Sequence, residues 1–456
     1  MTHVLVLGGG PAGYVAALRA AQLGARVTLV EAAEIGGTCL NRGCIPTKAM
    51  VAAAERLRLA RSAATYGILA AEPKLDYAAL AAHRDAAAAQ LRGGVEHLLS
   101  GRKVEVVRAR GRLAGPCALE LDDGRVLEGD AVILATGSEP SWLPVFPTDD
   151  PRVVSSDGVL VLKDLPRRLV VVGGGVIGCE FAAVFAELGS QVTIVELLDQ
   201  LLPGEDKRTG RTLQQAFKKR GIDSRLKVSA EGVVGGPDGV SLTLSSGDVL
   251  QADVVLVSVG RRPVARDIGF EEAGVEVDRR GFIVADESLR TAIDGVFAAG
   301  DAAGPPLLAH WAYYEGALAA ENAVTGSSLT VDRRVVPNCV FTHPEVASCG
   351  LTEDRAAAEG VEVEIAHVRF NGNSKAVIEG EDDGFIRIVV EKASGIVLGA
   401  SLVGPKVTEL VHELALATQN RLTLEAVWRT IHAHPTLSEA VGEAALSGAG
   451  RGMHSL

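Results

Sequence analysis

The feature that most restricts what this chain can fold into is a glycine turn that occurs twice in the same setting. Val4-Leu5-Val6-Leu7 reads as a short buried strand and runs straight into Gly8-Gly9-Gly10-Pro11-Ala12-Gly13. A helical stretch continues to about Leu23, and Ala25 to Val30 reads as a second strand ending at Glu31. Far downstream the order returns: a strand over Leu169 to Val172, the turn Gly173-Gly174-Gly175-Val176-Ile177-Gly178, a helix over Phe181 to Leu188, and a strand over Gln191 to Val195 ending at Glu196. In both copies the acid follows the first glycine by the same 23 residues.

Each residue type has a physical task. The first glycine of each set (Gly8, Gly173) permits the tight turn, the second (Gly10, Gly175) lets backbone approach a pyrophosphate, and the third (Gly13, Gly178) lets helix and strand pack closely. The helix N-terminus adds amide donors and the positive end of a dipole. Glu31 and Glu196 are placed to accept hydrogen bonds from both hydroxyls of an adenosine ribose. A plain glycine-rich turn would leave the register of strand, helix, strand and acid unexplained, so the expectation is an α/β protein with two Rossmann-like dinucleotide-binding domains. Glu196 would repel a ribose 2′-phosphate, and no Lys or Arg follows it until Lys207. NAD is therefore the expected second dinucleotide rather than NADP.

Composition narrows the partners. At 456 residues the chain suits roughly three domains. Its formal charge of −12 argues against nucleic-acid binding, which needs clustered cations. No uncharged apolar run reaches the ~18 residues that cross a bilayer. Met1-Thr2-His3 leads directly into Val4 without a cationic start, so no secretory signal is expected and the cytoplasm is the expected compartment. Six cysteines do not make a secreted disulfide scaffold.

Two of those cysteines lie together in Thr38-Cys39-Leu40-Asn41-Arg42-Gly43-Cys44-Ile45-Pro46-Thr47-Lys48. The C-x4-C spacing is poor for zinc, and no second pair with ligand spacing accompanies it, so no metal is expected. On an ideal helix the two positions would be roughly 8–9 Å apart, too far for a disulfide, so pairing would require a bend that Gly43 makes easier. The residues alone leave two readings: buried structural thiols, or a strained and reducible pair. Cys117, Cys179, Cys339 and Cys349 read as inert core thiols. Near the end, in Ile431-His432-Ala433-His434-Pro435-Thr436-Leu437-Ser438-Glu439, Glu439 could hold one imidazole nitrogen of His434 and leave the other free as a base. A solvated surface histidine is the competing reading. His432 has no such obvious partner.

Taken together, the two glycine turns, CLNRGCIPTK at 39–48, ILATGSEP at 133–140, GVFAAGDA at 295–302, THPEVASCGLTE at 342–353 and HAHPTLSE at 432–439 resemble the flavoprotein disulfide reductases end to end, and within them the dihydrolipoamide dehydrogenase group. The resemblance implies FAD on the first glycine turn, with Glu31 on its ribose, and Thr38, Ala109, Thr136, Gly137, Asp301 and Ala309 at other flavin-contacting positions. It implies that Lys48 and Glu180 form a pair near the reactive flavin edge and that Gly260 lines the NAD site.

It further implies a discontinuous layout. An FAD-binding domain over 1–141 is resumed over 263–334, an NAD-binding domain occupies 142–262, and an α+β dimerisation domain runs over 335–456. In that last part Phe385 to Glu391 and Ile396 to Val403 alternate like a hairpin around Lys392-Ala393-Ser394-Gly395, and helices are expected near 406–420 and 423–431. Val51 to Leu99 is Ala-rich and reads as mostly helical, with a break around Tyr66-Gly67 and Glu72-Pro73.

The implied activity is oxidation of a protein-borne dihydrolipoyl group with NAD⁺ as acceptor, through a redox disulfide Cys39–Cys44 and FAD. Cys39 would be the exposed, attacked sulfur, Cys44 would lie against the flavin, and His434 with Glu439 would serve the neighbouring subunit of a homodimer. A related NAD(P)H-dependent disulfide or metal-ion reductase is the alternative. The chain ends without the cysteine pair of mercuric reductases, and Glu196 disfavours the NADPH of glutathione reductases. Two departures stand out. Trp311-Ala312-Tyr313-Tyr314 replaces the charged residues usual in the family after Ala309-His310, and Arg42 places a cation between the cysteines.

Overall fold

The computed structural model describes residues 1–266 and 268–454. Each glycine turn sits at the carboxyl end of the central strand of a five-stranded parallel sheet. The first sheet orders its strands Val296–Ala298, Ala131–Leu134, His3–Leu7, Arg26–Glu31 and Glu105–Arg108. The second orders Asp223–Leu226, Gln191–Glu196, Arg168–Val172, Val254–Val257 and Val153–Ser155. Strands such as Arg168–Val172 and Ala131–Leu134 are buried along nearly their whole length, as a parallel sheet covered on both faces requires.

The likeness extends to insertions. A three-stranded antiparallel meander (Gly111–Gly115, Ala118–Leu121, Val126–Glu128) precedes Ala131–Leu134, and a second one (Ala230–Gly236, Gly239–Leu244, Val249–Ala252) precedes Val254–Val257. The outermost strand differs in origin. It comes late in the chain for the first sheet and early for the second, so the second unit is entered and left from within the first. The two crossing segments, Ser138–Pro140 and Arg261–Pro263, pair antiparallel with Arg261 opposite Pro140.

The third part is built differently. An antiparallel sheet orders Asn338–Val340, Glu345–Gly350, Val397–Gly404, Phe385–Glu391 and Val363–Arg369. The hairpin expected around residues 392–395 is its centre, with Ile388 opposite Ala400. Helices Val407–Gln419 and Glu439–Gly448 bury Val411, Leu414, Val441 and Ala444 against it. The Ala-rich region resolves into helix Cys44–Ser62, a short 3-10 turn to Tyr66, and helix Tyr77–Gly101, broken where Gly67 and Pro73 foretold. Among the described residues no helix is long and apolar enough to cross a membrane.

The third glycine of each turn is fixed by packing. A Cβ at Gly13 would lie 1.8 Å from the Gly8 carbonyl oxygen, and one at Gly178 would lie 1.9 Å from that of Gly173. Backbone cannot yield there, so Gly13→Ala is expected to cost ~1–3 kcal/mol. Gly178→Ala should cost a similar amount in the second unit. Thermal unfolding of the two variants checks both.

Candidate active site

The two glycine turns make matching hydrogen bonds to their acids. The Gly9 amide donates to Glu31 Oε2 at 2.6 Å, and the Gly174 amide donates to Glu196 Oε2 at 2.6 Å. The amides of Ala33 and Leu198 donate to the remaining oxygens, Oε1 of Glu31 and of Glu196, both at 2.7 Å. Each acid therefore braces the loop it follows while retaining lone pairs for ribose hydroxyls. Gly8 and Gly173 have φ of +102° and +107°, where only glycine is unstrained. Space in front of the turns is open: a Cβ at Gly175 would meet nothing within 4 Å, and one at Gly10 only Gly37 Cα at 3.9 Å.

Helix Pro11–Gln22 and helix Val176–Leu188 start without a side-chain cap, as does Ala309–Thr325. Helices Tyr77–Gly101 and Lys207–Lys219, away from these turns, are capped by Asp76 and Asp206. Uncapped amide donors beside glycines that leave room for a ligand fit the phosphates of FAD and NAD. The other cofactor candidates border the first site. Thr136 Oγ1 donates to the Val264 carbonyl at 2.6 Å, Gly137 has φ of +75°, and the Ala109 amide donates to the Glu31 carbonyl at 3.1 Å. Ala309 is the first residue of its uncapped helix. Gly260, at φ +113° with open space around it, follows the strand beside the second turn.

The cysteine segment forms two helices rather than one. Gly37–Arg42 ends at Gly43 (φ −144°, ψ −111°), and Cys44 starts the next helix. This break at the glycine turns the two thiols toward one another, overcoming the separation that a continuous helix would impose. Cys44 is held below its ordinary thiol value first by the Cys39 thiol and then, against the penalty of burial, by the Lys48 ammonium. Cys39 is pushed in the opposite direction by Cys44 and by burial. Cys44 is thus the more acidic of the two sulfurs.

One expectation needs correction. Cys39 is not the exposed member in the chain: it is buried at 7% exposure, while Cys44 is only partly buried. The reason is packing: the short helix presses so close to Gly10 that a Cβ on Gly37 would lie 2.7 Å from Gly10 Cα.

Lys48 Nζ donates to both oxygens of Glu180, at 2.9 and 2.8 Å, and lies over the Phe341 ring at 4.6 Å. Glu180 is 4% exposed and also accepts the Phe341 amide at 2.9 Å. A buried acid accepting three hydrogen bonds, two of them from Lys48, keeps Lys48 in place, and Lys48 in turn favours the thiolate. Removing the cation should therefore raise the Cys44 pKa. In Lys48→Met the pH at which Cys44 becomes alkylatable is expected to rise by about one pH unit or more, which a pH series of iodoacetamide labelling measures.

Asp301, on the turn Gly300–Ala303, accepts from Ser138 Oγ, and Arg261 binds the Ser138 hydroxyl and carbonyl at 2.7 and 2.6 Å. Arg261 also reaches Thr38 Oγ1 at 3.4 Å and so ties the crossing segment to the cysteine helix. Neither Arg261 nor Ser138 was singled out in the sequence. The available signal was a charged residue immediately after Gly260, in a strand-like apolar setting. Glu315, fully buried, was also missed. It accepts the Gly300 amide at 2.7 Å, and burial pushes its carboxyl up to about 7 despite that bond and Arg333.

At the other end of the chain, His434 Nδ1 bonds Glu439 Oε1 at 2.9 Å. Glu439 Oε2 takes the Thr436 amide at 2.8 Å. Burial works against the Glu439 carboxylate, yet this amide and His434 hold it below its ordinary value. His434 is 69% exposed and its bond to Pro435 is cis. His432 does have a partner: its Nε2 lies 3.0 Å from Glu413 Oε1, on helix Val407–Gln419, which the sequence alone could not place nearby. The cleft around His434 is lined by Asn373, Trp428, His432 and Glu443 and contains no cysteine. A single chain therefore does not bring His434 to Cys39.

Arg42 turns outward, with Nε 3.8 Å from Asp157. The remaining cysteines all have thiol pKa values raised chiefly by burial, Cys339 and Cys349 to about 12; Cys179 and Cys349 are buried in the core, whereas Cys117 and Cys339 are only partly buried.

Comparison with known proteins agrees with this architecture. Residues 2–316 match the family described as pyridine nucleotide-disulphide oxidoreductase, and residues 336–445 match its dimerisation domain. The chain is 41% identical to dihydrolipoyl dehydrogenase of Chlamydia muridarum, with 97% of this chain and 96% of that protein covered. It is 40% identical to the enzyme of the same name from Geobacillus stearothermophilus, with 99% and 97% covered. Among solved structures, LpdA from Mycobacterium tuberculosis aligns with a TM-score of 0.91 at 30% identity, covering 98% of this chain and 99% of that one. The HOCl-induced flavoprotein disulfide reductase RclA of Escherichia coli aligns at 0.88 and 27%, covering 96% and 98%. With twin dinucleotide folds, a bent cysteine pair between them and a matching terminal domain, the chain belongs to the pyridine nucleotide-disulphide oxidoreductases.

Proposed function

We propose that this protein is a dihydrolipoyl dehydrogenase, oxidising a carrier-borne dihydrolipoyl group to its cyclic disulfide with NAD⁺ as the final acceptor. The observation that carries this reading is the bent Cys39–Cys44 pair, polarised by Lys48, which Glu180 holds in place, in a chain about 40% identical to dihydrolipoyl dehydrogenases over nearly its whole length. FAD would be held by Gly8, Gly10, Gly13, Glu31, Thr38, Lys48, Ala109, Thr136, Gly137, Asp301 and Ala309. NAD would be held by Gly173, Gly175, Gly178, Glu180, Glu196 and Gly260. Once bound, these cofactors supply the electron carriage from thiol to nicotinamide.

The protein's own residues perform the sulfur chemistry. His434, with Nδ1 held by Glu439, takes the proton of the first substrate thiol at Nε2. The resulting thiolate attacks Cys39 of the disulfide, and the Cys39–Cys44 bond breaks with Cys44 leaving. Attack falls on Cys39 because Cys44, with the lower pKa, is the better leaving group. The second substrate thiol then displaces Cys39, its proton going to the departing Cys39 sulfur, and closes the substrate's own ring, which leaves one proton on His434, a thiol at Cys39 and a thiolate at Cys44. Because His434 stands apart from the cysteines in one chain, the working site takes His434 and Glu439 from a second copy, held by the dimerisation domain.

The layout 1–141, 142–262, 263–334 and 335–456 accords with these roles and is supported by the pairing of Ser138–Pro140 with Arg261–Pro263. The cytoplasm is the compartment we assign, and unpaired core thiols at Cys179 and Cys349 favour a reducing one. The test is steady-state NADH formation from dihydrolipoamide beside NADPH-driven reduction of glutathione disulfide. Rapid turnover in the first assay is expected; activity confined to the second would overturn the reading.

A further inference from the structure

His434 stands on a segment without regular structure. Helix Leu424–Arg429 ends at Thr430, and the next helix, Glu439–Gly448, begins only at Glu439. Among the described residues the amides of residues 431–434 donate to no backbone carbonyl. Ile431, Ala433, His434 and Pro435 are all exposed in the chain. Between Thr430 and Thr436, His432 is the side chain that turns inward, with 9% of it exposed.

Two elements grip that ring. Its Nε2 lies 3.0 Å from Glu413 Oε1, on helix Val407–Gln419. Its other edge rests on Gly442, where a Cβ would come within 2.7 Å of Nδ1 and 2.9 Å of Cε1. Gly442 follows Glu439 by three residues, so the ring lies on the helix face that also presents the partner of His434. The other braces act beyond His434. Asn373 Nδ2 donates to the Thr436 carbonyl at 3.0 Å, and the Thr436 amide donates to Glu439 Oε2. Thr436 Oγ1 donates to the Ala433 carbonyl at 2.7 Å, which closes the turn on itself without tying it to the rest of the domain.

We propose that Glu413 and His432 are positioning residues for the reaction, anchoring the segment so that His434 Nε2 meets the substrate thiol at Cys39 of the second copy. This rests on the reading of His434 as the base of dihydrolipoyl oxidation. Glu439 sets how the His434 imidazole is turned, and His432 sets where its backbone stands. A base must come within about 3 Å of the atom whose proton it takes. Misplacement by about 1 Å costs on the order of a hundredfold in rate. Glu413 and His432 act through His434 and transfer no proton themselves. Glu413, with a smaller push from Glu439, raises the His432 imidazole above its ordinary value against the effect of burial, which favours the charged and stronger form of the bond.

Purified holoenzymes of the wild type, Glu413→Leu, Glu413→Gln and His432→Ala provide the test. Four readings are taken: kcat and KM with dihydrolipoamide, NADH oxidation by ferricyanide, mass in solution, and deuterium exchange of peptides covering residues 430–438. Ferricyanide takes single electrons from the flavin and needs no thiol base. In Glu413→Leu, kcat is expected to fall about thirtyfold with KM within about twofold. Exchange over 430–438 should quicken about tenfold, while the ferricyanide rate and the mass stay at wild-type values. Glu413→Gln still accepts from the imidazole N–H and should recover kcat to within about threefold of wild type. His432→Ala removes the anchor without adding bulk and carries the test should Glu413→Leu not fold.

Wild-type kcat in both Glu413→Leu and His432→Ala overturns the proposal. So does a loss of kcat with exchange over 430–438 unchanged, or one that comes only with dissociation into single chains, which is how a packing contact behaves. Exchange needs no lipoyl substrate. A wild type inert toward dihydrolipoamide would sink the substrate assignment, whereas one exchange pattern in all four proteins would sink the anchoring.

Discussion

Cys44→Ser protein is expected to oxidise dihydrolipoamide at least about a thousandfold more slowly than the wild type while remaining folded and yellow. The size follows from the sulfur's double role. Cys44 is the leaving group of the first exchange, and it is the thiol that Lys48 keeps charged, so a serine oxygen can neither form the bridge nor accept the electron pair. Little stability is at stake, because the substitution exchanges one atom at a half-buried helix start after Gly43. NADH formation, followed beside thermal unfolding, separates the two effects. A variant retaining more than a tenth of wild-type turnover would show that electrons reach the acceptor by another route.

The second large effect concerns assembly. His434→Gln is expected to slow the same reaction by roughly a hundredfold to ten-thousandfold, the range for loss of a general base. Mixing it with Cys44→Ser should restore activity that neither parent has. In a hybrid dimer one site combines both lesions, whereas the other pairs an intact Cys44 with an intact His434 from the neighbouring chain. Hybrids purified by two affinity tags should therefore show about half the wild-type rate per dimer. Hybrids as inactive as their parents would mean that each chain completes its own site. The separation of His434 from the cysteines in one chain is the structural reason to expect complementation.

The repeated fold was legible because its determinants are local. Glycines at 8, 10 and 13 and at 173, 175 and 178, each set with an acid at fixed distance, specify strand, turn and helix within about thirty residues. The His434–Glu439 bond was legible for the same reason, since its partners are five residues apart. Long-range partners were not. His432 meets Glu413 only because two helices of the terminal domain pack together, and Arg261 meets Thr38 only because the chain crosses between units at Ser138–Pro140. The burial of Cys39 was misjudged because exposure depends on which distant elements pack over a segment, here the close approach of Gly37 to Gly10. The bend at Gly43 was anticipated as a requirement, but its form, two helices meeting at one glycine, came from the coordinates.

Anaerobic reductive titration of the purified protein bears most directly on whether a bridge between residues 39 and 44 stands between substrate and flavin. Two electrons per chain should be taken up before the flavin bleaches, and a long-wavelength absorption from a thiolate beside the oxidised ring should grow in at that stage. That band should be absent from Cys44→Ser. Direct bleaching after the first equivalent, with no long-wavelength band in the wild type, would contradict the account.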